Sequence, residues 1–111
     1  MRKFGRTKDQ RKALLKSLAA NLILKGKIKT TEARAKEVRA LAERLITQAK
    51  QEKLAGWRAA ESHLPRPAAR KLIKEVSPRF KERQGGYTRL TRLGRRMTDG
   101  ASMVFIELLK E

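Results

Sequence analysis

The stretch 102–109, Ser-Met-Val-Phe-Ile-Glu-Leu-Leu, constrains the fold more than any other part of the chain. In an extended segment successive side chains point to opposite faces. Val104, Ile106 and Leu108 then line one face, while Met103, Phe105 and Leu109 dominate the other. A strand that is apolar on both sides belongs in the middle of a sheet. Two other short segments have strand character, 27–31 and 87–93, and both carry far more charge, which suits edges. The expected spatial order is therefore first, third, second, with the last two strands joined as a hairpin through the loop 94–100.

The remaining apolar residues follow a helical period. Thr7-Lys8-Asp9-Gln10 reads as a capping box, and behind it Leu14, Leu18 and Leu22, flanked by Leu15, Ala19 and Ile23, form one stripe that Gly26 ends. Thr31 is placed to cap a second helix over 33–51, with Glu32 favourable in its first turn. Its stripe is Val38, Leu41, Ala42, Leu45, Ile46 and Ala49, and Arg39 lies one turn before Glu43. A shorter helix over 54–64 carries Trp57 and Leu64. Pro65-Arg66-Pro67 breaks the chain, and Pro67 opens a helix with Ala69, Leu72, Ile73 and Val76 inward, which Ser77-Pro78 is expected to stop. Gln84-Gly85-Gly86 calls for positive φ. The result is an α+β domain spanning 1–111, in the order α-β-α-α-α-β-β, with a short basic arm at 1–6.

Charge narrows the function. With 29 Lys and Arg against 11 Asp and Glu, the net charge is +18. A small soluble domain needs a net charge of only roughly 2–8, and an excess this large repels itself unless a polyanion screens it. Nucleic acid is the usual partner. The charge is also uneven. Residues 1–31 hold ten cations (among them Arg2, Lys3, Arg6, Lys8, Arg11, Lys12 and Lys16) against Asp9 alone. Residues 79–96 hold seven (Arg79, Lys81, Arg83, Arg89, Arg92, Arg95 and Arg96) against Glu82. Arginine dominates the second group, and its planar fork grips phosphate oxygens in pairs and stacks on bases. Gly85 and Gly86 serve a tight turn, a close backbone approach to phosphate, or both. Tyr87 reads either as a half-buried strand residue or as a stacking platform for an unpaired base.

Little in the sequence invites catalysis. There is no Cys, so there is neither a disulfide framework nor a thiolate metal site, a composition that suits a reducing cytosol. His63 is the single histidine and has no evident Ser and Asp partners. No GxxxxGK[ST] or GxGxxG loop is present. No metal, cofactor or small-molecule substrate is expected. No apolar run approaches the ~20 residues that span a bilayer, and Met1-Arg2-Lys3-Phe4-Gly5-Arg6 lacks the apolar core of a secretory signal. A DNA-binding regulator is the rival reading, although no helix-turn-helix spacing is evident.

Several ordered stretches carry a resemblance. One is Ile28-x-Thr30-Thr31-x-x-Arg34-Ala35-Lys36, followed after six residues by Glu43-x-Leu45-Ile46-Thr47-x-Ala49-Lys50. Gly5-Arg6-Thr7 and Arg11-Lys12-Ala13-Leu14-Leu15 precede it. Pro78-Arg79-Phe80-Lys81-Glu82-Arg83, Gly85-Gly86-Tyr87-Thr88-Arg89 and Met103…Ile106-Glu107-Leu108 follow. Together they resemble the bacterial large-subunit ribosomal protein numbered seventeen over nearly the whole chain. The resemblance implies helices around a small mixed three-stranded sheet. It also implies a structural role in the cytoplasmic ribosome, on large-subunit ribosomal RNA near the nascent-chain tunnel exit and beside other ribosomal proteins. The first helix with its arm, and the region from Arg79 to Arg96, would then touch RNA. Two features depart from the family pattern: the arm before Gly5 is shorter than is common, and the loop after Gly94 lacks a frequent proline.

Overall fold

The computed structural model describes residues 8–51 and 54–110. The expected arm and the Thr7 cap, with Arg2, Lys3 and Arg6, lie outside that range. The elements run α1 (Lys8–Lys25), β1 (Lys27–Thr31), α2 (Glu32–Lys50), α3 (Leu54–His63), a helical rod from Arg66 to Arg79, β2 (Thr88–Arg95) and β3 (Ser102–Leu108). The element order matches that expected from the sequence.

Helix α1 is buried mainly through its C-terminal half. Ala19, Ala20, Leu22 and Ile23 are buried, whereas residues 8–13 are all exposed and Leu14 and Leu18 are partly so. Gly26, at φ 81°, donates its N–H to the Leu22 carbonyl at 2.7 Å and turns the chain into β1. Thr31 then ends the strand and caps α2, accepting from the Arg34 N–H at 3.4 Å. Along α2 the predicted stripe is buried, with Ala35 added to it and Leu41 only partly covered. Helix α3 crosses very close to α2: a Cβ on Gly56 would lie 2.2 Å from the Gln48 carbonyl oxygen, so this contact admits only glycine.

The fourth helix corrects an expectation, because Ser77-Pro78 does not stop it. The rod consists of α4 (Arg66–Lys71), a π-helical turn (Leu72–Val76) and a last α-turn, α5 (Ser77–Arg79). Proline has no N–H to donate and crowds the preceding turn. The chain responds by widening, with the Ser77 N–H reaching back five residues to the Leu72 carbonyl. The Ile73 carbonyl, whose next partner in that wider ladder would be the absent N–H of Pro78, accepts instead from Ser77 Oγ at 3.1 Å. A serine before the proline thus supplies the donor that the proline lacks, and the helix continues.

Strand order is β1-β3-β2, as expected. The sheet is not mixed, however, since both ladders are antiparallel. The reason is topological: β2 and β3 form a hairpin, and β1 and β2 run the same way but are separated by β3, so no parallel pair forms. Val104, Ile106 and Leu108 face the helices and are buried with Thr30 and Thr88. Met103 and Phe105 are half-buried on the opposite face. There the Lys27 ammonium lies 4.2 Å from the centre of the Phe105 ring. The core sits between this one face of the sheet and the helices, and Phe80 and Tyr87 are its largest aromatic members.

Candidate nucleic-acid interface

Three segments carry the cations singled out above, and the structure treats them differently. The first is the N-terminal half of α1. Lys8, Lys12 and Lys16 follow one another at four-residue spacing, and none has an ion-pair partner among the described residues. Like charges at that spacing repel along a helix. Arg11 alone in this segment meets an acid, Glu37, at 3.8 Å.

The second is the β2–β3 hairpin. Every residue from 91 to 99 is exposed, so the outer half of the hairpin stands away from the core. A bulge at Leu93, where the register shifts between Arg92 and Gly94, breaks the strict alternation of sides along β2. Its arginines are held by acids or carbonyls. Arg89 pairs with Glu107 at 3.0 Å and Arg92 with Glu32 of α2 at 3.4 Å. Arg95 donates to the Gly100 carbonyl at 3.0 Å. Arg96 clasps Asp99 through Nε at 3.0 Å and Nη2 at 2.7 Å. The Asp99 carboxylate also accepts the Ala101 N–H at 3.1 Å. Arg96 first and that N–H second hold the Asp99 carboxyl down at about 2, and Arg89 likewise holds Glu107 below its ordinary value. The loop is closed by the Arg96 N–H on Ala101 at 2.7 Å and the Gly100 N–H on Arg96 at 2.8 Å. At its tip Met97 is 99% exposed.

The third segment, residues 79–88, is mostly not an interface. Tyr87 is 1% exposed, so as folded it is a core residue and offers no face to a base, and it precedes β2 rather than lying in it. Three residues of α2 hold it. Glu43 accepts the Tyr87 N–H at 3.1 Å and the Thr88 hydroxyl at 2.9 Å, while also meeting Arg39 at 3.6 Å. Thr47 shares a 3.2 Å hydrogen bond with the Tyr87 hydroxyl. The Lys50 ammonium donates to that hydroxyl at 2.9 Å and to the Arg83 carbonyl. Burial pushes the phenol up, yet the Lys50 and Thr47 hydrogen bonds, a Gly85 backbone bond and the Lys50 charge together bring it below its ordinary value. Phe80 packs against the tyrosine ring at 5.0 Å. Gly85 and Gly86, at φ 79° and 66°, make the turn that delivers Tyr87 inward. Arg79 is half-buried and donates to the Leu109 carbonyl at 3.2 Å, which leaves Lys81 and Arg83 as the segment's exposed cations.

The sequence signature now has a physical content. Glu43, Thr47 and Lys50 of the one hallmark and Gly85, Tyr87 and Thr88 of the other are two halves of a single clamp. In the sequence alone Glu43 pairs with Arg39; its spacing of four and seven residues to Thr47 and Lys50, which sets all three on one helical face, is the signal for the clamp. Among the described residues no group of His, Cys, Asp and Glu could hold a metal ion, and no helix is long and apolar enough to cross a membrane. His63 Nδ1 is engaged with the Ala59 carbonyl at 2.9 Å.

Comparison with known proteins agrees with these features. The family model described as ribosomal protein L17 matches residues 14–109. The large ribosomal subunit protein bL17 of Staphylococcus haemolyticus is 49% identical, with 97% of each chain covered. Those of a Thermoanaerobacter species and of Carboxydothermus hydrogenoformans are 48% and 49% identical, over 97% and 96% of each chain. A match of this extent, on a fold whose clamp is built from the signature residues themselves, shows that the chain belongs to the ribosomal protein L17 family of the large ribosomal subunit.

Proposed function

We propose that the chain is an architectural, non-enzymatic constituent of the large subunit of the bacterial cytoplasmic ribosome, binding ribosomal RNA near the nascent-chain tunnel exit. One observation carries the reading. Its core is complete without the first turns of α1 or the outer hairpin, and those two parts extend cations beyond it. Lys8, Arg11, Lys12 and Lys16 on the one, and Arg89, Arg92, Arg95 and Arg96 on the other, would neutralise phosphates of neighbouring RNA helices. Lys81 and Arg83 would contribute at the margin, and Arg2, Lys3 and Arg6 would extend the first surface. The single domain, with its arm, would pack against neighbouring large-subunit proteins, and its position at the tunnel exit rests on the family resemblance.

Most of the affinity should be electrostatic, each neutralised phosphate adding roughly 0.7–0.9 to the dependence of log K on log salt. The test is the occupancy of purified large subunits by a chain carrying R89Q, R92Q, R95Q and R96Q together. Reduced occupancy is expected, and full occupancy would remove the hairpin from the account. Equal salt-matched affinity for duplex DNA and folded ribosomal RNA would overturn the RNA assignment.

A further inference from the structure

The pattern on α1 occurs a second time, on a face that neither composition nor the family signature singles out. Arg66, Arg70 and Lys74 also follow one another at four-residue spacing, and all three are exposed along the rod. None has a hydrogen-bond or ion-pair partner among the described residues. They line one side of an open groove whose apolar part is Leu24, at the C-terminal end of α1, and Pro67; Glu75 is the acid on its rim. Lys71 ties the two walls together by donating to the Leu24 carbonyl at 2.8 Å. The groove is thus a fixed feature of the α1–α4 junction.

Three unpaired cations in a row raise the energy of a helix that carries them. The pairing found on the hairpin is the obvious remedy, and Glu61 and Glu75 line the same surfaces as Arg66 and Arg70. That pairing is not formed. Within α4 the helical rise sets Arg66 and Arg70 about 6 Å apart along the axis, a spacing suited to consecutive phosphates of one strand, and Lys74 follows in the π-helical turn. Helix α1 is 18 residues long, or ~27 Å. The groove at its C-terminal end is thus set about a helix length away from its first turns.

We propose that the α1–α4 groove is a second RNA surface, on which Arg66, Arg70 and Lys74 grip the backbone of a different strand from the one met by Lys8, Lys12 and Lys16. The chain is then a strut between two RNA segments. This inference rests on the RNA-binding role proposed above, and the experiment separates the two.

The full chain and an R66Q/R70Q/K74Q variant, its fold checked by circular dichroism, are titrated onto a folded large-subunit ribosomal RNA transcript. Backbone protection is mapped by hydroxyl radicals over a range of salt. The wild type should protect two separated tracts. The variant should lose one of them, with the salt slope falling by roughly 2–3, and R66K/R70K/K74R should restore both. An unchanged slope and footprint would overturn the second surface while leaving the first intact. A variant with a full footprint that still fails to enter the subunit would give the groove to a protein neighbour, and also overturns the inference. A wild-type chain that does not bind the transcript would remove the functional role itself.

Discussion

Residues 79–88 and the hairpin that follows are adjacent in sequence and alike in charge. Both are rich in arginine, both contain glycine, and both read as one cationic cluster. In the fold they are opposites. The first is drawn into the core, where Phe80 and Tyr87 are fully buried, with Glu43 accepting the Tyr87 N–H and Thr47 and Lys50 on the Tyr87 hydroxyl. The second stands free, with the Arg92 side chain 82% exposed. The difference lies in what each segment can bury. Two aromatic rings and a glycine turn give 79–88 an apolar payload, and an acid on α2 satisfies the N–H and hydroxyl groups that go in with it. Beyond Leu90 the hairpin has only Leu93 and Met97, too little to offset the desolvation of its arginines.

The contrast breaks first at Tyr87. If the residue is core, Y87A should cost about 3–5 kcal/mol in urea unfolding, and Y87F, which loses only the hydroxyl's partners, about 1 kcal/mol. A stable Y87A protein with weakened RNA binding would return the tyrosine to the interface. Next comes the clamp. E43A strands the Tyr87 N–H and the Thr88 hydroxyl, an expected loss of about 1–3 kcal/mol, whereas E43Q keeps one acceptor and should lose less. Equal, negligible effects from both would mean that α2 does not hold the segment.

On the free side, the four hairpin substitutions R89Q, R92Q, R95Q and R96Q should leave the unfolding midpoint nearly unchanged, because exposed pairs contribute little. They should nonetheless lower the salt slope of RNA binding by roughly 3. A large drop in stability would show that the hairpin is structural after all.

The smallest effect is a titration. Since Arg96 and the Ala101 N–H depress the Asp99 carboxyl to about 2, its contribution to loop order is fully present above the ordinary value of 3.8. It fades as pH falls through about 2. Followed by NMR, Asp99 should titrate near 2 in the wild type and move up toward 3.8 in R96Q. A midpoint near 3.8 in both would mean that the clasp does not form in solution.

Much of the fold could be read from the sequence because its determinants are local. The stripe on α2, the Thr31 cap, the Gly26 turn and the two-sided apolarity of β3 each lie within a few residues of the feature they specify. What could not be read depends on residues far apart in the chain. Arg92 and Glu32 meet across 60 positions and Tyr87 and Glu43 across 44, so neither the hairpin's pairing nor the burial of the tyrosine had a local signature. Ser77-Pro78 misled for the opposite reason. The proline's effect is local, but the remedy requires a π-turn that periodicity does not announce. The mixed sheet was an inherited expectation, corrected once both neighbours of β3 proved antiparallel to it.

The arginine arm brings its own anions. On the proposed reading, a phosphate that takes the Nε–Nη2 edge of Arg96 displaces Asp99, and one that takes Nη2 of Arg92 displaces Glu32, so seating the hairpin on those edges is a swap of one negative partner for another. The lysine row on α1 has nothing to surrender. Contact there liberates small ions from RNA with no carboxylate cast loose, and it sets the initial grip, while the hairpin favours an oxyanion placed well enough to displace the one it already holds.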